Sequence, residues 1–106
     1  MARPYSDKFI LGLNHANSKR IGIQLAKTCV RAHLPSVYVA DTFNVTRMSI
    51  HSWFRGGAVR DKNNTRIEIF IGLIEEGLAS GSLPALNAPH AKTYLESEIK
   101  PKLDVV

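Results

Sequence analysis

Residues 39–57, VADTFNVTRMSIHSWFRGG, carry two short runs with apolar side chains at helical spacing, one on each side of Phe43, Asn44 and Val45. No proline separates them, and the gap is too short for a loop. Two helices joined by about three residues cross steeply, so small and apolar side chains are needed where they touch. Ala40 stands at that crossing and Val45 plugs the turn. Ile50 and Trp53 carry the second helix back onto a core, and Val39 and Phe43 do the same for the first. Trp53, in register with Ile50, is read as a core residue rather than a stacking platform. Arg47, Met48, His51, Ser52 and Arg55 are left over on the second helix and point outward.

The rest of the chain reads as helices too, and the fold class is all-α. Ser18 can cap a run with Ile21, Leu25, Thr28 or Cys29, and Ala32 at helical spacing, which ends before Leu34 and Pro35. Pro35 suits the first turn of a helix over residues 36–42, where its missing N–H is no loss. Thr46 caps residues 47–54, and Gly56 and Gly57 can take the left-handed conformation that ends them. Thr65 and Glu68 have capping-box spacing and open a helix running to about Ser80, stopped by Gly81 and Pro84. A weaker helix over residues 89–99 is expected to end at Pro101. The organisation is an arm or short helix over residues 1–17, a helical domain over 18–82, and a helical extension over 83–106.

Charge divides the chain unevenly. Residues 1–66 hold 11 Lys+Arg against 3 Asp+Glu, a net of +8, whereas residues 67–106 hold 3 against 6, a net of −3. A basic portion of this kind fits a polyanion, because phosphate neutralisation with counterion release supplies most non-specific nucleic-acid affinity. Charge alone equally fits the solvated surface of a basic protein. An exposed basic helix face held on a small core is, however, what reading the DNA major groove needs.

Other classes find little support. The chain of 106 residues is about one domain, and no apolar stretch approaches a membrane span. Asp7 and Lys8 precede only a brief apolar run with no cleavage signature, so no secretory signal is expected. A single cysteine, Cys29, permits no internal disulfide and fits a reducing cytoplasm, where the sequons at Asn44 and Asn63 have no use. His15, His33, His51 and His90 lack ligand spacing, and no glycine-rich phosphate loop is present, so neither metal nor cofactor is expected. No Ser, His and Asp set can be ordered into a nucleophilic site, and no carboxylate pair sits in an apolar context. Catalysis is not expected.

Ala40, Asn44, Val45, Thr46, Ile50 and Trp53, followed by Gly56, resemble in full register the helix-turn-helix proteins of the phage repressor and Cro type, with Ile21, Leu25 and Leu34 matching upstream. The likeness covers about residues 18–57 well and residues 60–80 loosely. Asn44 departs from the usual turn glycine, but Asn is the commonest other residue at positive φ. The resemblance implies a compact, lambda-repressor-like bundle of about five helices. It also implies a double-stranded DNA-binding transcriptional regulator, a repressor acting as a homodimer in a bacterial or phage-infected cytoplasm.

On that reading Thr46, Arg47, Met48, His51, Ser52 and Arg55 face DNA, with Lys19 and Arg60 contacting phosphate outside the reading helix. Arg47 carries the most weight, because an arginine in the first turn can make a bidentate contact to guanine. Met48 meets a thymine methyl or stands idle, and His51 meets a base or phosphate or is simply exposed. Residues 67–78 are apolar at more positions than one core-facing stripe requires. The surplus is covered by a twin subunit, with Phe70 and Ile74 at the seam, or else these two fill the monomer core. The competing reading is an adaptor in which another protein covers residues 67–78.

Overall fold

The structure is a computed structural model and describes residues 4–16 and 19–103. Local signals set most of its helices. Helix α1 (Asp7–Asn14) opens at Ser6, whose hydroxyl accepts from the Phe9 N–H at 3.1 Å. Helix α2 (Ile21–Ala32) turns off at His33, which is left-handed at φ 57°, while the Leu34 N–H returns to the Cys29 carbonyl at 3.0 Å. Ser18, expected to cap α2, lies outside the described residues; Arg20 is the N-cap and supplies no side-chain bond.

Pro35 then caps α3 (Ser36–Phe43), one residue longer than expected. Asn44 takes the left-handed conformation at φ 56°, and the Val45 N–H donates to the Ala40 carbonyl at 3.0 Å. Thr46 opens α4 (Arg47–Phe54) by accepting from the Ser49 N–H at 3.1 Å, and Gly56, at φ 89°, lies just beyond its end.

Two boundaries differ from expectation. Helix α5 (Asp61–Ser80) begins four residues before Thr65, so Thr65 and Glu68 are interior positions rather than a capping box. Asp61 complements the positive end of the helix, and Asn63, only 7% exposed, is drawn against the core one turn ahead of Ile67. Pro101 does not end the last helix. Helix α6 (Ala88–Tyr94) continues through a π-turn (Leu95–Ile99) into α7 (Lys100–Leu103). The wider turn bonds the Lys100 N–H to the Leu95 carbonyl, five residues back, and admits the proline ring that a regular α-turn would exclude.

No strand forms among the described residues, and none of their helices is long and apolar enough to cross a membrane. All the helices share one core. Leu25, Cys29, Val39, Ala40, Phe43, Ile50 and Trp53 meet Ile67, Phe70 and Ile74 of α5. Leu95, Ile99 and Leu103 close the same cluster, so residues 83–103 belong to the core rather than hanging from it. Phe43 lies at its centre, its ring 5.0 Å from Phe70 and edge-on to Trp53 at 5.9 Å.

The seam expected at Phe70 and Ile74 is corrected by this packing. Both side chains have 0% exposure in the single chain and so offer nothing to a second copy. A 20-residue helix crossing a bundle has neighbours on several sides, and the extra apolar positions Ile69, Ile71, Leu73 and Leu78 are half-buried against the same core.

Candidate nucleic-acid interface

The face of α4 turned away from the core is polar and basic. Arg47, Met48, His51 and Arg55 are exposed, whereas Ile50, Trp53 and Phe54 are buried on the opposite side. Ser52 is half-buried, closed in by Gly57, where a Cβ would strike its Oγ. Thr46 is exposed and engaged at the cap: its Oγ accepts from the Ser49 N–H and its hydroxyl donates to the Ser49 Oγ at 3.1 Å. The helix start is thus anchored by its cap, the left-handed Asn44 and the buried residues behind it. The outward side chains project from a fixed backbone.

Beside this face an open groove of about 530 Å³ separates α4 from the start of α5. Asn44, Ser49 and Ser52 line one wall and Arg60, Lys62, Asn63 and Arg66 the other, with no carboxylate among the lining residues. Asp61, in the first turn of α5, offsets the positive end of the helix dipole, so the charge of this wall comes from the three cationic side chains. Arg66 also braces the fold, since its Nη1 donates to the Phe43 carbonyl at 3.0 Å and its guanidinium lies 5.7 Å from the Phe43 ring centre. It ties α5 to the last turn of α3, and through the Asn44 turn to α4.

Of the two flanking cations expected from sequence, Arg60 lines this groove. Lys19 is exposed just before α2, next to Arg20, whose stem approaches the Gly56 end of α4. Sequence reasoning alone misses Lys62, Arg66 and Arg20. Lys62 and Arg66 carry a usable signal: once the helix starts at Asp61 they fall four residues apart on one face. Arg20 carries none, because its place follows from the packing of α2 on α4.

Comparison of the chain with protein-family models, with curated proteins and with solved structures gives no match.

Proposed function

We propose that the protein is a sequence-specific double-stranded DNA-binding regulator of the phage-repressor helix-turn-helix type, with α3 as the supporting helix and α4 laid in the major groove. The observation that carries this reading is the pairing of an exposed polar face on α4 with a cationic groove beside it. Arg47, Met48, His51 and Arg55 reach base edges, Ser52, expected to point outward, is half-buried on the groove wall instead, and Arg60 and Lys62 hold the flanking phosphates. Lys62 and Arg66, like charges four residues apart, disfavour the free helix slightly, and a phosphate between them relieves that repulsion. Lys19 and Arg20 extend the basic surface past the other end of α4. No catalytic step and no cofactor form part of this reading, and its setting is a bacterial or phage-infected cytoplasm.

A pair of copies belongs to the proposal for a geometric reason. Eight residues of helix are about 12 Å long and span only about three or four base pairs, too few to specify one site. Two α4 helices in successive major grooves put half-sites about 10 base pairs apart.

The deciding experiment is selection of bound sequences from random duplex DNA. An enriched palindrome supports the proposal, and an enriched single half-site supports DNA reading by a monomer. A groove of about 410 Å³ between α1, α2 and α5, where Ile10, Leu13, Val30 and Ile71 stand beside Gln24, Lys27 and the Arg31–Glu75 ion pair, favours the second reading, an adaptor whose DNA contact is secondary. That reading expects no enrichment.

A further inference from the structure

Met48 is 79% exposed, more than any other large apolar side chain on the described surface. Its backbone nevertheless sits in the first turn of α4, between the Thr46 cap and buried Ile50. The other strongly exposed apolar residues, Leu11, Val37 and Leu86, lie on α1, on α3 and ahead of α6. On α4 the exposed neighbours of Met48 are Arg47 and His51. A single apolar side chain among polar ones is too small for a protein-docking patch, which spans a few hundred Å² or more. It is the right size to cover one methyl group.

The major-groove edge of a base pair offers one such group, the C5 methyl of thymine. Cytosine methylated at C5 presents a methyl at the corresponding position. A thioether on three rotatable bonds can adapt to that target. Arg47, one residue earlier, has the planar fork that fits O6 and N7 of guanine. Arg47 and Met48 open α4 and diverge by about 100° around its axis, so at the N-terminal tip of a helix entering the major groove they fan out toward neighbouring base pairs.

Resting on the duplex reading above, we propose that Arg47 and Met48 together read a guanine beside a pyrimidine that carries a 5-methyl group. A TG step and a 5-methylcytosine–guanine step are both accepted, and uracil or unmethylated cytosine is disfavoured at that pyrimidine. Binding therefore responds to cytosine methylation of the site.

The test uses the duplex enriched by selection. Each thymine is replaced singly by deoxyuridine, which removes only the methyl group. At the sensitive position cytosine and 5-methylcytosine, each paired with guanine, are then compared, with affinities read by fluorescence anisotropy at fixed salt. One pyrimidine per half-site is expected to lose about three- to fivefold on loss of its methyl, the factor for burying one such group. 5-Methylcytosine is expected to exceed cytosine by a similar factor. Met48→Ala and Met48→Gln, checked for folding by thermal melts, should bind thymine and uracil duplexes equally while keeping the guanine preference. Equal affinity of the wild type for thymine and uracil at every position, or a thymine preference that survives Met48→Ala, overturns the inference and leaves the duplex reading standing. A selection that enriches nothing overturns both.

Discussion

Gly22 of α2 and Trp53 of α4 meet main chain to main chain: a Cβ on Gly22 would run into the Trp53 carbonyl. That oxygen also accepts from the Gly56 N–H at 2.9 Å, so it cannot swing aside without disturbing the end of α4. Gly22→Ala should therefore destabilise the fold by about 1–3 kcal/mol, as other overpacked contacts do. Gly72, inside α5 with nothing within 4 Å of an added Cβ, predicts the opposite sign, and Gly72→Ala should stabilise by about 0.5–1 kcal/mol. Urea unfolding of the two variants checks both, and a neutral Gly22→Ala would show that α2 and α4 separate freely.

Asn44 holds φ at 56° in the turn between α3 and α4. Asn44→Gly is expected to be neutral or to stabilise by up to about 1 kcal/mol, whereas Asn44→Val should lose about 1–2 kcal/mol because a β-branched residue resists that conformation. Thermal melts of the pair decide, and equal melting of the two variants would mean that the turn relaxes to negative φ in solution.

The Arg66 guanidinium both bonds the Phe43 carbonyl and lies over its ring. Arg66→Met should cost about 1–3 kcal/mol through the lost charged hydrogen bond, and Arg66→Lys should recover only part of it because an ammonium lacks the planar fork. Full recovery by lysine in chemical denaturation would reduce the role of Arg66 to net charge.

Burial raises the Cys29 thiol well above its ordinary value of 9.0. Burial also raises the Tyr5 hydroxyl, which donates to the Leu34 carbonyl at 2.6 Å. Both groups stay protonated in the folded chain and ionise at their ordinary values when it unfolds. Their contribution is thus fully present below the unfolded values and is lost as pH rises above them. Stability should be flat from about pH 7 to 8, then fall by about 1.4 kcal/mol per pH unit above about pH 9 for Cys29, and more steeply above about pH 10 as Tyr5 joins. Denaturation midpoints at pH 7, 9 and 10.5 test this, and Cys29→Ala should delay the onset of the fall.

The proposed duplex reading predicts that positioning and reading separate by mutation. Arg47→Ala should lose about 1–3 kcal/mol on the preferred duplex and relax the base preference at one position per half-site, while Arg60→Ala or Lys62→Ala should weaken all sequences alike and lower the salt slope by about 1. Anisotropy titrations over several salt concentrations read both effects. A uniform loss from Arg47→Ala would reassign that residue to phosphate.

Phe70→Asp and Ile74→Asp, in turn, should unfold the chain rather than yield folded monomers, since both residues are fully buried. Circular dichroism with sedimentation distinguishes the two outcomes.

Much of the central fold was legible from residues three to six apart. The Pro35 entry, the Asn44 turn, the Thr46 cap and the Gly56 and Gly81 stops all lie within a residue or so of the expected boundaries. Caps and left-handed turns are local hydrogen-bonding devices, made by a side chain and backbone groups one turn away, so the sequence itself contains both partners. The outward face of α4 followed from the same logic, because Ile50 and Trp53 at helical spacing leave Arg47, Met48, His51 and Arg55 on the other side.

The tertiary structure decided the rest. The start of α5 at Asp61 depends on Asn63 being drawn against a core contributed by distant helices, and the continuation through Pro101 on Leu95, Ile99 and Leu103 all reaching that core. Short helix α1 is held where Tyr5 and Phe9 pack against Phe54, about 50 residues along the chain. Whether Phe70 and Ile74 face a neighbour or the interior, and whether Lys62 and Arg66 stand beside α4, are likewise questions of what surrounds α5. Burial is summed over neighbours from the whole chain, so no window of sequence contains the answer, whereas a cap is complete within one turn.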